Sequence, residues 1–285
     1  MERKNETKYI FLLLLAICFL ASAGIWVRSI TLPPISIGFY RMLLTLPLLL
    51  PLVYKELPKL KFKDVIVLLL AGFFLGMDLL LWNVSFLHTS IANATLFVNL
   101  TFLTIVPVSY FAFKEEIKKS FIAGVLITLL GVIILMSGKI NSAENGIYGN
   151  FLALLASSFY AGFLLISYKT REKFGPMTII FIASIGGAVT LFLGMLLKEG
   201  MVVPPNSFSL VQLIIYSFVM QLLGQGTMSY CLGKLSASLT SVLVLAQPII
   251  AAFLAFILFH ETLNLIEIIG VLITLVGIWQ AKRSS

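Results

Sequence analysis

The stretch Gly124 to Val132 reads "GVLITLLGV", and Gly270 to Ile278 reads "GVLITLVGI". The second copy stands 146 residues after the first. At the same offset Glu115 falls on Glu261, Gly131 falls on Gly277, and residues 89–113 run without a gap onto 235–259. A chain of 285 residues that repeats itself at half its length is built from two copies of one unit. The repeat divides it into 1–140 and 141–285.

Composition says what the unit is made for. Hydrophobic residues make up 60% and charged residues 11%, with a mean hydropathy of +1.06; soluble domains hold roughly 45–50% apolar residues. Apolar runs of about 20 residues, enough to cross roughly 30 Å of hydrocarbon as helix, recur along the whole chain. Strand-like alternation is absent, which excludes a membrane barrel. Cutting at charged and proline-bearing breaks predicts ten spans: 9–29, 33–54, 64–87, 89–113, 119–138, 147–168, 176–198, 210–233, 236–259 and 265–281. The fold class is therefore an all-α integral membrane protein. Arg3, Lys4 and Lys8 before an apolar run, followed by Ala21-Ser22-Ala23, have the outline of a signal peptide. The run continues through Gly24-Ile25-Trp26-Val27, however, and the repeat needs this helix to match 147–168. Cys18 and Cys231 fall within spans and read as buried apolar residues.

With the amino terminus in the cytoplasm, sixteen Lys and Arg side chains fall inside and only Arg28, Lys139 and Lys198 fall outside, Arg41 lying within a span. That bias sets the orientation in a cytoplasmic membrane, with both termini cytoplasmic. It also accounts for the net charge of +8 through anionic lipid rather than nucleic acid. Five spans per half is an odd number, so the second half enters the membrane inverted. The loops agree: "FKEEIKKS" (113–120) carries three lysines, and its counterpart "FHETLNLI" (259–266) carries none. Two inverted five-helix repeats are the architecture in which one half rocks against the other around a midplane site.

The Glu-to-Gly spacing in "EEIKKSFIAGVLITLLG" and "ETLNLIEIIGVLITLVG", Arg41 in "FYRMLL", and "QPIIAAFLAFILFHE" from Gln247 to Glu261 resemble the drug/metabolite transporter superfamily in its EamA-type branch. The resemblance covers essentially the whole chain. It implies a secondary transporter of small metabolites and leaves the cargo open among amino acids and other compounds. Pro248 maps onto Phe102, whereas the first half has Pro107 five residues later, so the halves are expected to kink at different depths.

Ionisable groups within a membrane cost roughly 2.5–3.5 kcal/mol each, so each asks for a reason. Two stand out: Arg41 in span two and Asp78 in span three, at similar depth. They read either as a salt bridge pinning two helices, or as a site in which Arg41 holds a carboxylate and Asp78 an ammonium or a proton. Both signs together suit a zwitterion such as an amino acid. Span eight adds a polar stripe, Ser217, Gln221, Gln225 and Ser229, at four-residue spacing. Two glutamines a turn apart in hydrocarbon need partners or water. Tyr160 and Ser167 share a face of span six. Gln247, before Pro248, marks a place where proline frees a carbonyl. Trp82 either lines the Asp78 face or sits in an interfacial belt. The candidate substrate-binding set is therefore Arg41, Asp78, Trp82, Tyr160, Gln221, Gln225 and Gln247, with Asp78 as the proton-coupling candidate.

The repeated word itself reads as a packing seam, since Gly124, Thr128 and Gly131, like Gly270, Thr274 and Gly277, form a small-residue ridge. Glu115 and Glu261 stand at helix starts, where a structural role is expected. His88 and His260 lie at loop ends without a second ligand, so neither a metal nor another cofactor is expected. An intramembrane protease would need a second acid beside Asp78, or a nucleophile with a histidine at depth, and neither occurs; no enzyme is expected. The reading is an exporter of amino acids or related zwitterionic or anionic compounds, working as a monomer or a homodimer. Its alternatives are a proton-coupled drug efflux transporter, and a sensor or structural membrane protein.

Overall fold

The computed structural model describes residues 2–85, 87–89, 91–137, 146–259 and 264–284, with backbone alone for 2–5, 28, 91–93, 255 and 259. Glu261, His260 and Lys139 lie outside the described residues. Among the described residues, ten helical segments are long and apolar enough to cross a membrane. They are Glu6–Val27, Pro34–Val53, Phe62–Ser85, Ala94–Phe113, Lys119–Ser137, Ile147–Thr170, Pro176–Lys198, Ser207–Leu232, Ala237–Leu258 and Leu265–Ser284, referred to here as spans one to ten. Each coincides within a few residues with a span predicted from the sequence, and no strand occurs among the described residues.

Several spans are interrupted. Span one is α1 (Glu2–Ala21) and α2 (Ala23–Ser29), and spans two and three are α3 (Pro34–Val53) and α4 (Phe62–Ser85). Span four is α5 (Ile91–Val98) and α6 (Phe102–Phe113), span five α7 (Lys119–Ser137), span six α8 (Ile147–Thr170) and span seven α9 (Pro176–Lys198). Span eight runs from α10 (Ser207–Ser217) through a π-helical stretch, Phe218–Gly226, into α11 (Thr227–Leu232). Span nine is α12 (Ala237–Val244) and α13 (Gln247–Phe259), and span ten α14 (Leu265–Ser284).

The breaks in spans four and nine correct one expectation. At the repeat offset α5 and α12 have the same limits, so both halves break at the same level despite the displaced prolines. The cause is the local backbone. Leu103 and Thr104 donate to carbonyls three residues back, and so do Leu245 and Ala246, tightening each chain out of the α-helical ladder. In span four Asn99 Nδ2 also takes the Thr95 carbonyl at 2.8 Å, competing with helix continuation. Pro107 lies inside α6, which continues past it.

Large apolar side chains such as Phe11, Phe111, Leu126 and Trp279 point outward, as a lipid-facing surface requires, while buried polar groups and small residues gather within. Span three packs between α8 and α9. The contact with α9 is close because Gly72 and Gly76 leave no room for a Cβ against Ala183 and Thr190. The repeated word makes the most extensive seam among the described helices. A Cβ on Gly124 would overlap Ala281, on Gly131 Thr274, on Gly270 Leu135, and on Gly277 Thr128. Rising numbers on α7 meet falling numbers on α14, so the two copies of the word lie antiparallel and touch reciprocally. The glycine ridge is thus a seam within one molecule.

Carboxylates tie helix starts to distant loops. Glu199, following α9, accepts the N–H groups of Ile35 (2.9 Å) and Ser36 (2.8 Å) and the Ser36 hydroxyl (2.6 Å) at the start of α3. Glu56, following α3, in turn accepts from the Thr178 hydroxyl at the start of α9. Spans two and seven therefore cap each other at opposite ends. Glu115 does not serve its own helix. It accepts from Ala237 N (3.1 Å) and from Ser238 N (3.4 Å) and Oγ (2.6 Å), capping α12 of the other half.

Candidate functional site

Span eight is the centre of the candidate site because its polar residues face inward and its backbone changes pitch where they stand. Ser217, Gln221, Gln225 and Ser229 are all buried. Gln221 and Gln225 lie in the π-helical stretch, a rare form that recurs at functional sites. Gly224 allows this segment to approach span one, since a Cβ there would press on Leu20.

Arg41, two turns into α3, is 4% exposed. Its Nε and Nη2 both donate to Gln221 Oε1, at 3.1 and 2.8 Å. Gln221 Nε2 contacts the Ser184 hydroxyl of α9 at 3.3 Å and Met42 Sδ at 3.1 Å. The Tyr216 ring lies 5.8 Å from the guanidinium carbon, and that ring is backed by Trp26 of span one. Arg41 is thus oriented by a neutral amide and an aromatic face, with no carboxylate among the described residues bonded to it.

Asp78 is 6% exposed, and its Oδ1 has no hydrogen-bond partner. Arg41, Asp78 and Tyr160 lie within electrostatic reach of one another, yet among the described residues no ion pair joins Arg41 to Asp78. The salt-bridge reading of this pair is therefore corrected: Gln221 occupies the guanidinium, and the carboxylate is left unpaired. Tyr160 of α8 accepts from Gln225 Nε2 at 3.3 Å and stacks on Phe163. The Gln225 Oε1 is also buried without a partner.

Five of the seven candidates, Arg41, Asp78, Tyr160, Gln221 and Gln225, thus converge from spans two, three, six and eight. Trp82, one turn beyond Asp78, packs against the main apolar core. Gln247 begins α13 just after the break in span nine and is half-buried, but no hydrogen bond links it to the other five. Three contributors were not picked out from the sequence: Ser184, Met42 and Tyr216. Ser184 carried the one usable signal, a hydroxyl in the apolar run of span seven. Among the described residues no group of three His, Cys, Asp or Glu is placed to hold a metal ion.

The EamA-like transporter family model matches twice, over residues 7–137 and 147–281. The chain belongs to that family. Among relatives, an uncharacterized transporter of Clostridium kluyveri is 24% identical over 94% of this chain and 91% of its own length. A probable amino-acid metabolite efflux pump of Salmonella typhimurium is 22% identical, over 59% of this chain and 60% of its own. A solved crystal structure superposes with a TM-score of 0.80 at 16% identity, covering 97% of this chain and 98% of that one, a likeness of fold. This family member is accordingly a multi-pass membrane transporter, with the buried cluster around span eight as its candidate site.

Proposed function

We propose that this protein is a secondary transporter that exports small metabolites, amino acids and related zwitterionic or anionic compounds first, across the cytoplasmic membrane by alternating access. One observation carries the reading. Two opposite charges, Arg41 and Asp78, are buried within reach of each other and kept unpaired. Holding both charges apart in low dielectric is costly unless a ligand completes them. A zwitterion does so: its carboxylate meets the planar guanidinium and its ammonium the free carboxylate oxygen. Between cargoes, a proton on Asp78 serves the same end, which makes it the coupling candidate. The name of the Salmonella relative, a probable amino-acid metabolite efflux pump, is in keeping with such cargo. No catalytic chemistry is proposed.

The termini are assigned to the cytoplasm by the lysine and arginine bias, and the two halves are assigned an inverted relation. The antiparallel pairing of α7 with α14 and the matched breaks in spans four and nine support it. A cationic drug is the poorer cargo, because Arg41 repels it at the level where Asp78 would attract it.

The test is efflux from proteoliposomes loaded with a labelled amino-acid panel, with and without a pH gradient. Efflux of particular amino acids above protein-free vesicles is the expected result. No efflux of any of them, with insertion verified, overturns the amino-acid assignment.

A further inference from the structure

A row of buried polar atoms remains after the central cluster is accounted for. On span eight the Gln225 Oε1 and Ser229 Oγ, and on span six the Ser167 Oγ, are buried without hydrogen-bond partners. Orphaned polar atoms in a folded interior are commonly completed by buried water. Here α8 packs against span eight, and two rungs join them. The upper rung is Gln225 to Tyr160. The lower rung is Arg171, one turn past Ser167 at the end of α8, whose Nε donates to the Ser229 carbonyl at 3.0 Å. Tyr160 and Ser167 are two turns apart on α8, a rise of about 10 Å.

Beyond the lower rung, at the face carrying the chain termini, a pocket of about 280 Å³ is lined by Tyr168, Arg171, Glu172, Gly233 and Lys234 among others. Arg171 Nη1 also donates to the Phe174 carbonyl, three residues on in its own loop, which fixes the side chain while its Nε spans the seam's mouth to Ser229. Gly233 makes room for it, since a Cβ there would stand 3.1 Å from Arg171 Nε.

We infer that the seam between spans six and eight is a water-filled half-channel linking the central site to the termini face, with Arg171 as its plug. Its purpose, to give cytoplasmic water and protons access to Asp78, rests on the transport reading above; its existence does not. Water completes the Gln225, Ser229 and Ser167 side chains, and parting of Arg171 from the Ser229 and Phe174 carbonyls opens the seam to the pocket.

The test is thiol labelling in full-length protein lacking Cys18 and Cys231, with Ser167→Cys or Ser229→Cys, using a small hydrophilic methanethiosulfonate applied from the termini side. Leu165→Cys and Met228→Cys, buried at the same depth, are the controls. A thiol must meet water to ionise and react, so both seam positions are expected to label about tenfold faster than the controls. Arg171→Ala removes two charge-assisted bonds and is expected to speed both by about another tenfold, leaving the controls unchanged. If Arg171→Ala does not insert, Arg171→Lys, which keeps the charge and loses the planar fork, replaces it. Seam positions as slow as Met228→Cys in every background overturn the channel, and seam labelling indifferent to both Arg171 variants overturns the plug. Labelling needs no cargo, so a failed efflux assay and a dry seam are separate results.

Discussion

Arg41 shows how a residue's meaning turns on its partner. Because Gln221, a neutral amide, holds the guanidinium, its positive charge is oriented without being neutralised. Gln221→Leu leaves the buried guanidinium without its amide acceptor, and a hydrogen bond to a charged group is typically worth about 1.5–3 kcal/mol; a clear fall in the thermal midpoint in detergent is expected. Gln221→Glu supplies a permanent carboxylate instead. It should keep the midpoint near wild type while sharply lowering efflux of any carboxylate cargo, and a Gln221→Glu protein with undiminished efflux would remove Arg41 from the site. Asp78→Asn keeps shape and removes the charge. Efflux that loses its response to a pH gradient in this variant, at normal insertion, is the expected result for a proton carrier.

Among the elements, the α7–α14 pair offers the sharpest contrast. Gly131 is pressed against the Thr274 backbone, whereas its neighbour Leu130 is exposed on the lipid-facing side. Gly131→Leu should destabilise by about 1–3 kcal/mol or more through overpacking, and Leu130→Ala should scarcely move the thermal midpoint in detergent. The capping carboxylates act at the same scale. Glu199→Ala strips the start of α3 of three hydrogen bonds, a loss expected to cost roughly 0.5–2 kcal/mol on the same measurement. Matched breaks in spans four and nine teach a further lesson: proline position alone misjudges where a helix yields, because turns closing three residues back and the Asn99 side chain set the level in span four.

For the whole molecule, orientation is the first thing to measure. Met201→Cys, in the exposed segment after span seven, should label with an impermeant maleimide added outside intact cells, and Lys59→Cys, in the segment after span two, only after the membrane is opened. The reverse pattern would invert the assigned topology. At this scale the fold is largely legible in the sequence, since ten apolar runs, a doubled word and a lopsided distribution of lysines are properties of the chain as a string.

The membrane enforces that legibility. Hydrocarbon cannot satisfy backbone groups, so an apolar run of span length must be helical wherever it is placed. Even Arg41, Asp78 and the span-eight glutamines announce themselves, being expensive in such a setting. Tertiary structure alone decided which of them meet. That Arg41 is held by Gln221 rather than Asp78, that Glu115 caps a helix of the other half, and that span eight widens into a π-helix all depend on which helix faces lie opposite each other. Side-chain pairing across helices far apart in the chain follows from packing geometry, which local composition does not encode.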